Sequence, residues 1–173
     1  MGYKIFKGGL TLSIIHVRID DRLIHGQVAA FWCNSLKVDR IMIADDEVAN
    51  NSIQKSVLRL AAPPGVSTSI ITKEQAAENI KAGKYENQRV FLIFKSPKDA
   101  YDLIQLGVDL KVINVGNMAH REGTVQIKRN IKVSQEDVEY FLKLRDMGIK
   151  LTAKMVPADS ETDFMDYLKK VLN

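Results

Sequence analysis

The chain has 173 residues and a mass of 19.5 kDa, enough for one domain with one real core. Hydrophobic residues make up 46% and charged residues 27%, an ordinary globular composition that argues against disorder and fibrous repeats. One cysteine excludes an internal disulfide and a multi-cysteine zinc site, and a net charge of +4 is too mild to announce a nucleic-acid binder, although it suits a partner that carries phosphate.

The predicted elements begin after a short lead. Lys4 and Lys7 precede Leu10 to Ile15, a faint imitation of a signal peptide that runs into Arg18, Asp20 and Asp21 with no small-residue cleavage site. The expectation is a flexible extension over residues 1–12, a single domain over 13–173 and a cytoplasmic chain. Ser13 to Ile19 reads as a strand. Gly26 to Leu36 reads as a helix with Val28, Phe31, Trp32 and Leu36 on one stripe. Arg40 to Ala44 is a strand. Asp45 or Asp46 caps a helix carrying Ala49, Ile53, Val57 and Leu60, stopped by Pro63-Pro64-Gly65.

Val66 to Ile71 is the next strand, and Thr72 with Gln75 opens a helix. Arg89 to Phe94 is a strand. Its apolar run, Val90 to Phe94, is far short of the ~20 residues a membrane span needs. Ser96 caps a helix with Pro97 at its first position and Gly107 past its end. Leu110 to Val115 is a strand, and Thr124 to Lys132 reads as a small hairpin around Arg129-Asn130. Ser134 opens a helix ending at Gly148. Ile149 to Ala153 is a strand, and Glu161 to Leu172 a closing helix. Alternation at this spacing predicts an α/β fold: an open, mostly parallel central sheet with helices on both faces, in a single domain.

In such sheets ligands bind beyond the carboxyl ends of the strands. The loop after the first strand, Arg18-Ile19-Asp20-Asp21-Arg22-Leu23-Ile24-His25-Gly26-Gln27, is the densest in ionisable groups. Gly26 allows close backbone approach and unusual angles beside His25. The helix that follows offers free N–H groups and its positive dipole end to an anion there. Arg22 can add a forked contact to phosphate oxygens. Asp20 or Asp21 can orient the imidazole or anchor an arginine. A histidine beside an anion site suits phosphoryl carriage. The residues alone also allow a solvated histidine, turn aspartates and a carboxylate ligand in place of phosphate.

The string Val17 to Val28 resembles the active-site loop of the IIB components of the mannose/sorbose family of bacterial phosphotransferase systems, and the resemblance extends to Asn114-Val115-Gly116-Asn117-Met118 and across nearly the whole chain from Ser13. It implies a cytoplasmic phosphocarrier, peripheral to the membrane. His25 takes a phosphoryl group on Nδ1 from the phosphohistidine of IIA, itself loaded by HPr. The group then passes to a sugar moved by the membrane components IIC and IID. Arg22 matches the loop arginine that holds the phosphoryl group, with Gly26 and Gln27 beside it and Asp20, Asp21 and Arg18 in support. No metal, nucleotide or other cofactor is implied, and no nucleic acid. The sugar, a hexose or amino sugar, stays open.

Other residues carry blander expectations. Asn114 to Asn117 follows a strand and can line the same mouth, with Gly116 in a tight turn. Ser96 caps. His16, inside the first strand, has a structural or surface role. Trp32 is core or interface, and Cys33 packs. Lys128, Arg129 and Lys132 make a solvated edge beside which an acidic IIA surface can dock, and His120 and Arg121 sit in a charged loop also open to docking. The competing function is a non-catalytic α/β anion-binding or signalling module. A nucleotide enzyme is disfavoured because no phosphate-binding glycine loop follows the first strand.

Overall fold

The computed structural model describes residues 13–172. The expected extension over 1–12 therefore lies outside the described residues. The strands are β1 (Ile14–Asp20), β2 (Arg40–Ala44), β3 (Ser67–Ile71), β4 (Val90–Phe94), β5 (Val112–Asn117), β6 (Val125–Lys128), β7 (Ile131–Val133), β8 (Lys150–Ala153) and β9 (Thr162–Asp163). The helices are α1 (Gly26–Leu36), α2 (Asp46–Ala49), α3 (Ser52–Ala61), α4 (Lys73–Lys81), α5 (Pro97–Gln105), α6 (Gln135–Asp146) and α7 (Phe164–Leu168).

One seven-stranded sheet runs in the order β3-β2-β4-β1-β5-β8-β9. Every pairing is parallel except β8 with the edge strand β9. β6 and β7 form a separate antiparallel hairpin. β4 is an unbroken apolar run, buried at all five positions because both faces are covered, whereas its neighbour β1 and the next strand β5 carry polar residues toward their carboxyl ends. One face packs on α4 to α7 through Ala76, Leu103, Phe141 and Phe164. The other packs on α1 to α3 through Trp32, Cys33, Val48 and Leu58.

Caps written in the sequence set the helix starts. Asp45, Asn51, Thr72, Ser96 and Ser134 each accept a backbone N–H from the first turn that follows. Each such cap contributes about 1 kcal/mol. Ser134 and Asp137 close a reciprocal capping box.

Four expectations are corrected. The helix expected after Asp45 is two helices, because the Asn51 side chain accepts from Gln54 N at 3.0 Å and starts a new one. Its apolar stripe faces water: Ile53, Val57 and Leu60 are 77%, 59% and 87% exposed, while Leu58 is buried. Likewise α1 buries Ala29, Trp32 and Cys33 and leaves Phe31 55% exposed. The closing helix starts at Phe164 rather than Glu161. Thr162 and Asp163 pair with β8 first, and Asp163 then caps α7 through Met165 N.

Candidate active site

The chain leaves β1 through α1 on one face of the sheet and leaves the neighbouring β5 toward α6 on the other. This divergence opens a crevice at the carboxyl ends of β1 and β5, where open parallel sheets bind ligands. The loop Asp21 to His25 bridges it. Leu23 N donates to Asp20 O at 2.9 Å, closing a turn that forces Leu23 to φ 60°. Left-handed backbone at a branched residue costs on the order of 1–2 kcal/mol. Burial of Leu23 and its neighbour Ile24 offsets that, at roughly 1.5–3 kcal/mol for each fully buried side chain. The loop is thereby anchored between Arg22 and His25, and His25 is left exposed as the N-cap residue of α1. Its imidazole makes no cap hydrogen bond, so the first N–H groups of α1 are not capped by a side chain.

Beneath the loop lies a charge cluster. Asp20 is 1% exposed and is shared by two arginines. Arg18 Nε and Nη2 donate to Asp20 Oδ2 at 3.2 and 3.1 Å. Arg22 grips the same carboxylate as a fork, Nε to Oδ1 at 2.9 Å and Nη2 to Oδ2 at 2.8 Å. Arg18 is itself 1% exposed, and its Nη1 donates to Asn114 Oδ1 at 2.8 Å and to the Lys154 carbonyl at 2.9 Å. Burial pulls the Arg18 guanidinium below its ordinary value, and Asp20 pulls the other way. Hydrogen bonding to Asp20 raises Arg22 above its ordinary value. Two cations share one carboxylate, so the cluster keeps a positive charge. Arg22, 26% exposed, carries that charge to the surface, and its Nη1 has no acceptor among the described residues.

Asp21 points the other way. It accepts from Asn117 Nδ2 at 2.8 Å and from Ala119 N at 2.7 Å, tying the histidine loop to the end of β5. Thus the first loop, the end of β5 and the start of the loop after β8 are knit into one mouth.

This architecture has close counterparts. Residues 14–172 match the family model described as PTS system sorbose subfamily IIB component. The chain belongs to this family of phosphotransferase-system IIB components. It is 36% identical over 160 residues to the sorbose-specific EIIB component of Lacticaseibacillus casei, covering 92% of this chain and 98% of that one. It is 39% identical over 154 residues to the mannose-specific EIIAB component of Escherichia coli K12, covering 89% of this chain. The chain spans about half the length of that EIIAB relative, 48%. The IIBSor domain of the sorbose permease of Klebsiella pneumoniae superposes with a TM-score of 0.87 at 33% identity, covering 92% of this chain and 98% of the other.

In this IIB component the structure brings Arg18, Asp20 and Arg22 into one cluster and places His25, Gly26 and Gln27 together, exposed, at the start of α1. Three local readings change. Gly26 is an ordinary first helical residue with open space where a side chain would go. The residue with positive φ is Leu23, since the turn reverses earlier than the glycine. Asn114 to Asn117 lie inside β5 rather than after it. Gly116 makes no turn. It is the extra residue of a bulge, since Ile19 is opposite Val115 and Asp20 opposite Asn117. A Cβ there would lie 1.8 Å from Arg18 Cζ.

Sequence reasoning missed the Lys154 carbonyl and Met155. Lys154 holds Arg18, and the Met155 carbonyl accepts from Trp32 Nε1 at 3.1 Å. Only the β5–β8 pairing could have pointed to them. Trp32 floors the cluster, with Arg18 Cζ 5.5 Å above its ring and His16 stacked on it at 4.3 Å. Burial, helped by Arg18 and Lys154, lowers the His16 imidazole from 6.5 to about 4. Burial pushes the Cys33 thiol up to about 11. Among the described residues no group of three or more His, Cys, Asp and Glu is placed to hold a metal ion.

Proposed function

We propose that this IIB component is a phosphocarrier that takes a phosphoryl group from the phosphohistidine of a IIA protein onto His25 and passes it to a sugar delivered by membrane components IIC and IID. The observation that carries the reading is the placement of an exposed, uncapped His25 at the start of α1, on the same anchored loop as the surface-reaching Arg22. The resemblance of the loop supports Nδ1 as the reactive atom.

The chemistry is in-line displacement. The lone pair of His25 Nδ1 forms a P–N bond while the donor's P–N bond breaks, and the donor ring departs with that electron pair. Each ring keeps its proton on the far nitrogen. In the second step a sugar hydroxyl oxygen forms the new P–O bond, the His25 ring leaves with the P–N pair and the hydroxyl proton passes to solvent. The moving group spreads its charge over the peripheral oxygens, so positioning and electrostatics supply most of the acceleration. Arg22 and the amide N–H groups of Gly26 and Gln27 are the donors available for those oxygens. Asp20 holds Arg22 in place and tempers its charge, which suits a group that must leave again. Asp21 and Arg18 act only through the loop's position.

No helix among the described residues is long and apolar enough to cross a membrane. A cytoplasmic shuttle that visits the membrane complex is the reading consistent with the family. The competing reading is a non-catalytic anion-binding or signalling module. Phosphoenolpyruvate, enzyme I, HPr and IIA with this protein decide between them. Acid-labile phosphate on His25, abolished in His25→Ala with the fold intact, supports the phosphocarrier. Phosphorylation that persists in His25→Ala, or none in the wild type, refutes it.

A further inference from the structure

The β6–β7 hairpin packs against the end of β5, the same segment that holds Asp21 of the histidine loop. Met118 N donates to Asn130 O, Lys132 N donates to Met118 O, and Asn130 Nδ2 donates to the Gly116 carbonyl. Between the hairpin and the segment that follows β5 lies a pocket of about 470 Å³ whose walls include Asn117, His120, Arg129, Asn130, Lys132 and Met155. No carboxylate lines it. Arg121 nearby is neutralised by Asp137. Arg129 and Lys132 have no carboxylate partner among the described residues; Lys132 only caps the Arg129 carbonyl at 3.1 Å. The wall residue Asn117 is the one that holds Asp21, so this basic pocket and the histidine loop form one continuous surface.

We propose that the basic pocket seats acidic side chains of the protein that donates the phosphoryl group to His25; the proposal rests on the phosphocarrier reading above. Charge decides which of the two partners fits. Cytoplasmic loops of membrane proteins carry an excess of Lys and Arg, so a membrane acceptor would meet like charge at this pocket. A soluble donor arrives with a phosphohistidine bearing about two negative charges, and an acidic rim beside it would complement Arg129 and Lys132. Such pairs at a solvated rim mainly speed encounter and fix orientation, and salt weakens them.

The test uses the full-length protein and phosphorylated IIA. In Arg129→Glu/Lys132→Glu the KM for phospho-IIA rises about tenfold or more with kcat little changed, as expected of rim charges. Salt raises the wild-type KM steeply and the variant's hardly at all. Direct phosphorylation of His25 by phosphoramidate, which needs no protein docking, stays at the wild-type rate in the variant and reports an intact site. Transfer to vesicles carrying IIC and IID is also unchanged. An unchanged KM for phospho-IIA, or a defect confined to the vesicle step, overturns the docking proposal while leaving the phosphocarrier reading standing. Failure of wild-type His25 to label from either donor overturns both. Arg129→Gln/Lys132→Gln, expected to fall between wild type and the reversed variant, separates charge from misfolding.

Discussion

The guanidinium of Arg18 lies in the space where a side chain at Gly116 would begin, 1.8 Å from Cζ to the position of the missing Cβ. The two residues sit on neighbouring strands, and the bulge in β5 brings Gly116 under the arginine. The glycine therefore serves a neighbour's side chain rather than its own backbone angle. Gly116→Ala must expel Arg18, leaving Asp20 and Asn114 short of a partner. The expected loss is about 3 kcal/mol, within the range for breaking a buried ion pair. Urea unfolding reads it. A loss below ~1 kcal/mol, the size of an ordinary substitution, would mean that Arg18 finds another seat.

Asp20→Asn removes the one carboxylate shared by Arg18 and Arg22. Stability should fall by roughly 3 kcal/mol, and the loosened Arg22 should slow labelling of His25. Because Gly116→Ala disrupts the same cluster, the double variant should cost clearly less than the two single losses added together. A double-mutant cycle gives the coupling, expected at about 0.5–3 kcal/mol for residues of one network. Strict additivity would deny that the two act through Arg18.

The half-buried His16 makes stability depend on pH. Its folded-state value is about 4 against the ordinary 6.5, so the unfolded chain takes up the proton first as pH falls. Stability from this group is whole above pH 6.5, is lost between about 6.5 and 4, and levels off below. The shift corresponds to something on the order of 3 kcal/mol. His16→Phe, which keeps a ring against Trp32, should flatten that part of the profile. Denaturation midpoints across this window check it, and an equal slope in both proteins would contradict the assignment.

The Cys33 thiol, buried and raised to about 11, should resist thiol reagents near neutral pH until the protein unfolds. Ellman's reagent with and without denaturant measures this. Rapid native labelling would place the thiol at the surface.

The outward stripe of α3 should tolerate polar replacement. Val57→Lys is expected to change stability by no more than about 0.5 kcal/mol, as exposed positions do. A core position on the same helix, Leu58→Ala, should cost about 2 kcal/mol or more.

The alternation of elements was readable because buried parallel strands are continuous apolar runs, as in Val90 to Phe94, and because Ser96-Pro97 and Ser134 announce helix starts chemically. The histidine loop was readable because it is local: Asp20, Arg22 and His25 lie within six residues of one another. The orientation of α3 was not. Periodicity shows that Ile53, Val57 and Leu60 share a side, and it carries no information on which side the sheet occupies. Nor was the partition of Asp20 and Asp21, adjacent in sequence, one turned to the arginines and the other to Asn117.

The sequence by itself determined the fold class, most of the order of strands and helices and the loop that holds His25, because those depend on local periodicity, capping and composition. Tertiary structure alone decided that Arg18 is buried, that Gly116 makes room for it, and that the Lys154 carbonyl and the β6–β7 hairpin join the same mouth. Those relations exist only because strand pairing sets β5 beside β1 and β8 beside β5, bringing together residues about 100 positions apart or more.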